Sequence, residues 1–295
     1  MPGDSDWLAE GFEENRGRLR AVAYRMLGSL AEADDAVQDT WLRLSRSDAS
    51  EVENLGAWLT TIVARVCLNV LRARNARREE PLDLHLPDPV VGRADGPNPE
   101  EQALLADSVG LALHVVLDTL APAERLAFVL HDMFGVPFEA IAPMVGRSPA
   151  AARQLASRAR RRVRGADVRA PDPDLGRQRE VVDAFFAAAN RGDFDALVAV
   201  LDPDVLLRSD GGTGQPDMSM VLRGSAAVAG QTLRVHQPFA LVRPALVNGA
   251  AGAVAIIAGR PVAVVGFTVR DGRITEINVL ADPDRLGRLD LAILD

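Results

Sequence analysis

The stretch GRSPAAARQLASRARRRVRG, residues 146–165, carries seven arginines and no acidic side chain, in a chain whose formal net charge is −8. Ser148 and Pro149 read as the start of a helix: a hydroxyl N-cap, then a ring whose missing N–H costs nothing there. Gly146 falls in the short turn before it, and a helix over Phe138–Val145 is predicted upstream of that turn. Helix, glycine-containing turn and helix make a helix-turn-helix. At about 100° per residue, Ala152, Leu155, Ala156, Ala159 and Val163 share one narrow packing side. Arg153, Gln154, Ser157, Arg160, Arg161 and Arg164 fill the opposite arc, with Arg158 and Arg162 at the edges of the apolar stripe. Solvated helices mix acid with base, whereas an acid-free one points to nucleic acid. Arg153, Gln154 and Ser157, near the end that enters a major groove first, are placed to reach base edges. Arg147, Ser148, Arg158, Arg160, Arg161 and Arg164 complete the candidate surface, the arginines at the far end and edges suiting phosphates.

Upstream, a helix beginning near residue 98 has Leu104, Val109, Leu113, Val116, Leu117 and Leu120 as apolar members. Another is predicted over Ala123–His131, after Pro122. Before them lies EEPLDLHLPDPVVGRADGPNP (79–99), whose five prolines predict a linker with no regular element. The chain ahead of it is helical by periodicity. A helix over about Trp7–Leu27 closes at Gly28, and Ser29 caps a second, with Glu32 completing a capping box. That second helix carries Ala33, Val37, Trp41 and Leu44 on one stripe and Asp35, Gln38, Asp39 and Leu42 on another. After a polar loop (45–54), a third helix over Leu55–Ala76 has an apolar stripe of Leu55, Leu59, Ile62, Val66 and Val70. Trp58, Thr61, Arg65, Asn69 and Arg72 cluster in a neighbouring arc, and no acid occurs between Asn54 and Arg78. By itself this second basic helix is as well explained by a solvated face. Two basic helices in separate helical blocks, joined by a tether, suit a protein that reads two separated DNA sites.

Downstream of a second linker, GADVRAPDPDLG (165–176), the pattern changes. Helices are predicted over 177–191, 193–201 and Ser225–Val235. Strands are predicted for the extended stretch DPDVLLRSDGG and for Phe239–Val247, Ala253–Ala258, Pro261–Arg270 and Arg273–Leu280, the last two joined at Asp271-Gly272. Helices followed by a run of strands mean an α+β domain. Arg208, Asp210 and His236 are the polar candidates for a pocket in it. Asp210, next to Gly211-Gly212, is better read as an Asx-type turn.

Hydrophobic residues make up 48% of the 295, enough for several cores, and length predicts two or three domains. The acidic total argues against non-specific coating of DNA but not against a local contact made beside a partner. The one cysteine, Cys67, excludes an internal disulfide and is expected to be a buried, inert thiol. No run approaches the roughly 18 consecutive apolar residues of a membrane span, and the acidic N-terminus is unlike a signal peptide. A cytoplasmic protein is expected, with no cofactor: no metal-ligand spacing, nucleophile elbow or phosphate-binding loop is present.

YRMLGSLAEADDAVQDTWLR (24–43) with NLGAWLTTIVARVCLNVLRAR (54–74) resembles region 2 of sigma-70-type transcription initiation factors. LAPAERLAFVLHDMFGVPFEAIAPMVGRSPAAARQLASRARRRVR (120–164) resembles their region 4, and the lack of an intermediate region is like the extracytoplasmic-function group. EVVDAFFAAANRGDFDALVAVLDPDV (180–205) resembles a SnoaL-like domain, a cone-shaped α+β fold that one subgroup carries as a C-terminal extension. The resemblance implies a multidomain chain, two all-α domains followed by the α+β cone. Residues 1–78 would be region 2, 79–98 the linker, 99–165 region 4, 166–176 a second linker and 177–295 the SnoaL-like domain. It implies a non-enzymatic partner of core RNA polymerase and promoter DNA. Asp35, Gln38, Asp39 and Leu42 would meet the β′ clamp helices, and region 4 the β flap. Trp58, Thr61, Arg65, Asn69 and Arg72 would take the opened −10 element, and the arginine helix the −35 duplex. The subgroup's two C-terminal motifs correspond to Asp210-Gly211-Gly212-Thr213-Gly214, which lacks a lysine, and Asp282-Pro283-Asp284-Arg285-Leu286, which has Asp for Asn and Arg for Lys. LHLPDP (84–89) keeps the outline of the subgroup's linker element. These motifs would form a regulatory interface, and a small-molecule ligand of the last domain stays open. The competing reading is a stand-alone, ligand-responsive helix-turn-helix regulator, which would need neither the second basic helix nor the acidic face.

Overall fold

The computed structural model describes residues 3–46, 54–77, 86–94, 110–165, 171–236 and 240–291. Most of the loop 45–54, much of both linkers, and Leu104, Val109 and Phe239 therefore lie outside the described residues. The chain forms two compact units, residues 1–81 with 112–168 and residues 82–111 with 169–295.

The first unit is helical: α1 (Gly3–Leu27), α2 (Leu30–Leu44), α3 (Leu55–Arg77), α4 (Gly110–Asp118), α5 (Pro122–Phe128), α6 (Phe138–Val145) and α7 (Pro149–Gly165). Ser29 caps α2 as expected, its hydroxyl accepting from the Glu32 amide. The Glu32 carboxylate instead pairs with Arg74 of α3, so the cap joins two helices. α3 is long and apolar enough, by length and composition, to cross a membrane. Here it is a core helix, packed against α1, α2, α5 and α6. Its buried side is wider than the predicted stripe and turned from it. Leu59, Val63, Ala64, Val66, Cys67, Leu68 and Leu71 are buried, while Ile62 and Val70 are only half-buried. Neighbours on both sides of the helix explain the difference. Cys67 is fully buried, and desolvation pushes its thiol up to about 12. The helix predicted over Ala123–His131 is in fact α5 followed by a π-helical turn at Val129–Met133. Such a turn inserts one residue into the hydrogen-bond ladder and re-aims the side chains beyond it.

Where α1 meets α4 and α5, three basic side chains are buried together: Arg25, His114 and Arg125. Arg125 donates through Nη1 to the Met26 carbonyl at 2.9 Å and through Nη2 to Asp118 at 2.6 Å. Arg25 Nη1 lies 3.3 Å from His114 Nε2. Arginine only donates, so Nε2 accepts and the imidazole is neutral with its proton on Nδ1. The His114 ring also sits against Tyr24, centroids 4.7 Å apart. Burial, then Arg25 and Arg125, lower its pKa well below the ordinary 6.5.

In the second unit, α8 (Leu175–Arg191), α9 (Phe194–Val200) and α10 (Ser225–Val235) pack on one face of a seven-stranded sheet. The strands are β1 (Val91–Arg93), β2 (Leu201–Asp210), β3 (Met220–Arg223), β4 (Leu241–Val247), β5 (Ala250–Ile257), β6 (Arg260–Arg270) and β7 (Arg273–Leu280). They run in the order β1-β4-β5-β6-β7-β2-β3, and β2 and β7 are the parallel pair. Phe185, Phe186 and Phe267 meet edge-on in the core at 5.4–5.7 Å. A last turn, α11 (Pro283–Leu286), is capped by Asp282. Two strands escape the sequence pattern. β3 is too short for alternation to show, and β1 lies in the proline-rich stretch expected to hold no element. Pro87 and Pro89 precede β1, which is an edge strand, where proline's missing donor costs no ladder bond.

The folded-state pKa of His114 lies below its unfolded value, so protonation favours the unfolded chain. Its contribution is complete above about pH 6.5 and erodes as pH falls, by up to about 1.4 kcal/mol per unit. Denaturant titrations of the wild type and His114→Gln between pH 7.5 and 5 are expected to converge as pH falls, because the glutamine variant lacks this slope.

Candidate nucleic-acid interface

α6 ends at Gly146, whose φ of 66° is the left-handed conformation that glycine adopts without strain. The Arg147 amide closes the helix on the Ala142 carbonyl at 3.0 Å, and Ser148 Oγ accepts from the Ala151 amide at 3.3 Å. α7 then buries Ala152, Ala156 and Ala159, with Leu155 and Val163 half-buried beside them. Alanine's small side chain lets α7 approach α5 and α6 closely, so its arginines begin near the protein surface.

Those arginines are not equivalent. At about 100° per residue, Arg153 and Arg160 fall together on one flank of the buried alanines and Arg162 on the other. Arg160 Nε pairs with Asp132 at 2.9 Å, and Arg162 Nη1 with Glu124 at 3.1 Å. The Arg153 guanidinium carbon stands 5.3 Å from the Phe138 ring centroid. Gln154, Ser157, Arg158, Arg161 and Arg164 lie between the flanks, exposed, as are Arg147 and Ser148 in the turn. Sequence reasoning found every arginine but not Glu124, Asp132 and Phe138, which divide them. Their partnership with α7 crosses 15 to 38 residues and leaves no local signal.

On α3, Arg65, Asn69 and Arg72 are exposed and Trp58 and Thr61 half-exposed, so the predicted arc is one open face. Thr61 Oγ1 is turned back to the Ala57 carbonyl at 3.0 Å. On α2, Asp35, Gln38 and Leu42 are exposed and Asp39 half-exposed, Asp39 pairing with Arg43 at 2.9 Å. Leu42 is an uncovered apolar side chain among acidic and polar neighbours.

The third predicted site converges in the second unit. Arg285 Nη1 donates to Asp210 Oδ2 at 2.7 Å, Nε to Asp88 Oδ1 at 2.8 Å, and Nη2 to Asp88 and the Leu86 carbonyl. The Leu86 amide returns to Asp210 Oδ2 at 2.8 Å. Asp210 Oδ1 meanwhile accepts from the Gly212 amide, the Asx-type turn expected of it, so this aspartate serves both purposes. Gly212 has φ 61°, and a Cβ there would lie 2.2 Å from Asp282 Oδ2. The two glycine- and proline-marked motifs thus touch, and together they grip residues 86–88. A second anchor follows: the Val90 amide donates to Asn248 Oδ1 at 2.7 Å, the Val90 carbonyl accepts from the Asn248 amide at 2.8 Å, and β1 pairs with β4.

Arg208, Asp210 and His236 do not form a common pocket. Arg208 faces Glu276 at 3.6 Å, Asp210 faces Arg285, and His236 ends α10. A cavity of about 290 Å³ lies instead between α8 and β4–β5, lined by Arg179, Asp183, Phe186, Val242, Pro244 and Ala251 among others.

Residues 12–77 match the sigma-70 region 2 family and residues 110–163 the sigma-70 region 4 family. The chain is 39% identical to the ECF RNA polymerase sigma factor SigJ of Mycobacterium tuberculosis, across 93% of this chain and 91% of that one. It is 33% identical to the probable ECF RNA polymerase sigma factor SigI of the same species, across 96% of both. The crystal structure of SigJ from M. tuberculosis superposes with a TM-score of 0.74 at 35% identity, covering 96% of this chain and 99% of the other.

Arg285→Ala would leave Asp88 and Asp210 facing each other while buried. Breaking a buried ion pair costs about 3–5 kcal/mol, mostly from the stranded charge. The expected outcome is release of residues 86–94, read as faster hydrogen exchange at the Leu86 and Val90 amides with the β5–β6 amides still protected.

Proposed function

Because this chain belongs to the extracytoplasmic-function RNA polymerase sigma factors, we propose that its exposed helix faces divide promoter recognition and polymerase binding among them. The protein is an alternative initiation factor, not an enzyme: it binds core RNA polymerase and directs it to promoters. Its place of work is the cell interior where the polymerase acts, the cytoplasm.

The outward face of α7 carries the assignment. Its flanking arginines are held by protein partners while Gln154, Ser157, Arg158, Arg161 and Arg164 face outward without an acid among them. Such a helix enters the major groove of the −35 duplex N-terminus first, with Arg153, Gln154 and Ser157 at base edges and Arg164 on phosphate. The α3 face supplies what an opened −10 strand requires, an indole to stack an unpaired base and a basic track of Arg65 and Arg72. The α2 face offers Leu42 ringed by Asp35, Gln38 and Asp39 to the β′ clamp helices. Neither element has a role in a stand-alone regulator. The overall acidity then has a cause, since the polymerase supplies most of the affinity for DNA.

Residues 86–94 lie between the region 2 and region 4 helices in sequence, and in the second unit they are held by Arg285 and Asn248. Taking them up shortens the tether available to separate the two DNA-reading parts. This supports a regulatory role for the C-terminal domain through the Asp210–Gly212 and Asp282–Leu286 motifs.

Run-off transcription with purified core polymerase is expected to give promoter-specific product only when this chain is present. DNA retention by the chain alone would favour the stand-alone regulator. Arg153→Ala is expected to weaken discrimination of the −35 sequence, by roughly 1–3 kcal/mol if its contact is bidentate, while Arg164→Ala weakens binding to all sequences alike. Truncation after residue 170 is expected to change polymerase affinity and transcript yield; unchanged values would remove the regulatory role.

A further inference from the structure

We propose that Phe138 is a positioning residue for promoter discrimination, holding the Arg153 guanidinium ready for a base edge without using any of its hydrogen-bond donors. The inference rests on the reading of Arg153 as a base-contacting side chain. Three arginines of α7 are restrained by the body of the helix-turn-helix, and by two different means. Arg162 spends an N–H on the Glu124 carboxylate, and Arg160 is held by the charge of Asp132. A guanidinium so paired is a poorer reader of bases, because bidentate recognition of guanine needs two N–H groups of one edge at once. Arg153 is restrained instead by the face of an aromatic ring, its Cζ 5.3 Å from the Phe138 centroid, inside the range of a cation–π contact. Among the described residues its guanidinium makes no hydrogen bond, so all its donors stay available.

The ring is itself fixed. Phe138 is the first residue of α6 and is buried, so its plane cannot swing with the arginine. The His131 ring stacks on it, centroids 3.8 Å apart and planes 29° from parallel. His131 Nδ1 lies 3.0 Å from the Val136 carbonyl, an acceptor, so Nδ1 carries the proton and this bond sets the imidazole plane. The Val136 amide closes the same loop on the Leu130 carbonyl at 2.8 Å. His131 lies within the π-helical turn at Val129–Met133. A chain of contacts therefore runs from the turn through His131 and Phe138 to Arg153. A long side chain with many rotamers is presented in few of them, and the ordering cost on binding a base is reduced in advance.

The test uses the full chain with core polymerase and a −35 element selected from a randomised library. The readout is the ratio of affinity for the selected element to that for a scrambled one. Phe138→Leu is expected to lower this ratio roughly two- to fivefold, the weight of an exposed cation–π contact. Phe138→Tyr, which keeps the ring, is expected to hold the wild-type ratio. Phe138→Leu combined with Arg153→Ala should be no worse than Arg153→Ala alone, because both remove one contact. Multiplying effects in the double variant, or an unchanged ratio in Phe138→Leu beside a lowered one in Arg153→Ala, would overturn the inference alone. An unchanged ratio in Arg153→Ala would overturn the base-reading role and this inference with it. A second measurement needs no variant: the Arg153 side-chain proton resonances of the free wild-type chain are expected to be shifted upfield by the ring. Resonances at their unstructured positions would also overturn the inference.

Discussion

α3 is apolar around more than half of its circumference, and the helical unit is organised by the need to cover it. At about 100° per residue, the buried positions from Val66 and Leu59 round to Leu68 span roughly 200°. Four helices share the task of covering it: α1, α2, α5 and α6 all pack on α3. This burial draws the region 4 helices onto the region 2 helices in the same unit. It also decides what is left outside. The remaining arc of α3 is the one that carries Trp58, Arg65, Asn69 and Arg72, and it is open because no packing partner is left to need it.

Covering α3 from both sides brings polar side chains to the seam, and several of them bond to a helix end there. Arg125 satisfies the end of α1 through the Met26 carbonyl, and Arg74 does the same at the Leu27 carbonyl. Arg18 reaches the Phe134 carbonyl beside the π-helical turn at 3.2 Å. Arginine suits this work because its fork reaches carbonyls at a helix end while its stem packs against apolar neighbours. The neutral His114 belongs to the same seam, accepting from one arginine where a charged imidazole would face two. The seam is therefore held by directional bonds as well as by apolar area.

In the second unit the equivalent constraint is the pair of buried carboxylates at Asp88 and Asp210. Neither can stay ionised and buried without a counter-charge, and Arg285 serves both. One guanidinium thereby couples a proline-rich stretch, a strand end and the final helical turn, which are separated by up to 199 residues in sequence. That this position is arginine and not lysine matters physically. A lysine ammonium is a point charge, whereas the fork reaches both carboxylates and the Leu86 carbonyl at once.

Local patterning alone determined the helix-turn-helix, its Ser148 cap and Gly146 turn, the two acid-free helices and the change to α+β grammar after residue 177. Those features depend on residues within a turn or two of each other, where hydrophobic period and capping chemistry act. The acidic face of α2 and the basic face of α3 were legible for the same reason. Only tertiary structure decided which arginines of α7 face outward, because Glu124, Asp132 and Phe138 come to them from other helices. It alone made a strand of Val91–Arg93, an edge that exists only beside β4, and rotated the buried side of α3 toward helices that a periodicity plot cannot see. It alone gave Asp210 two roles at once, since a turn is local whereas a buried charge is answered by whatever the fold brings to it.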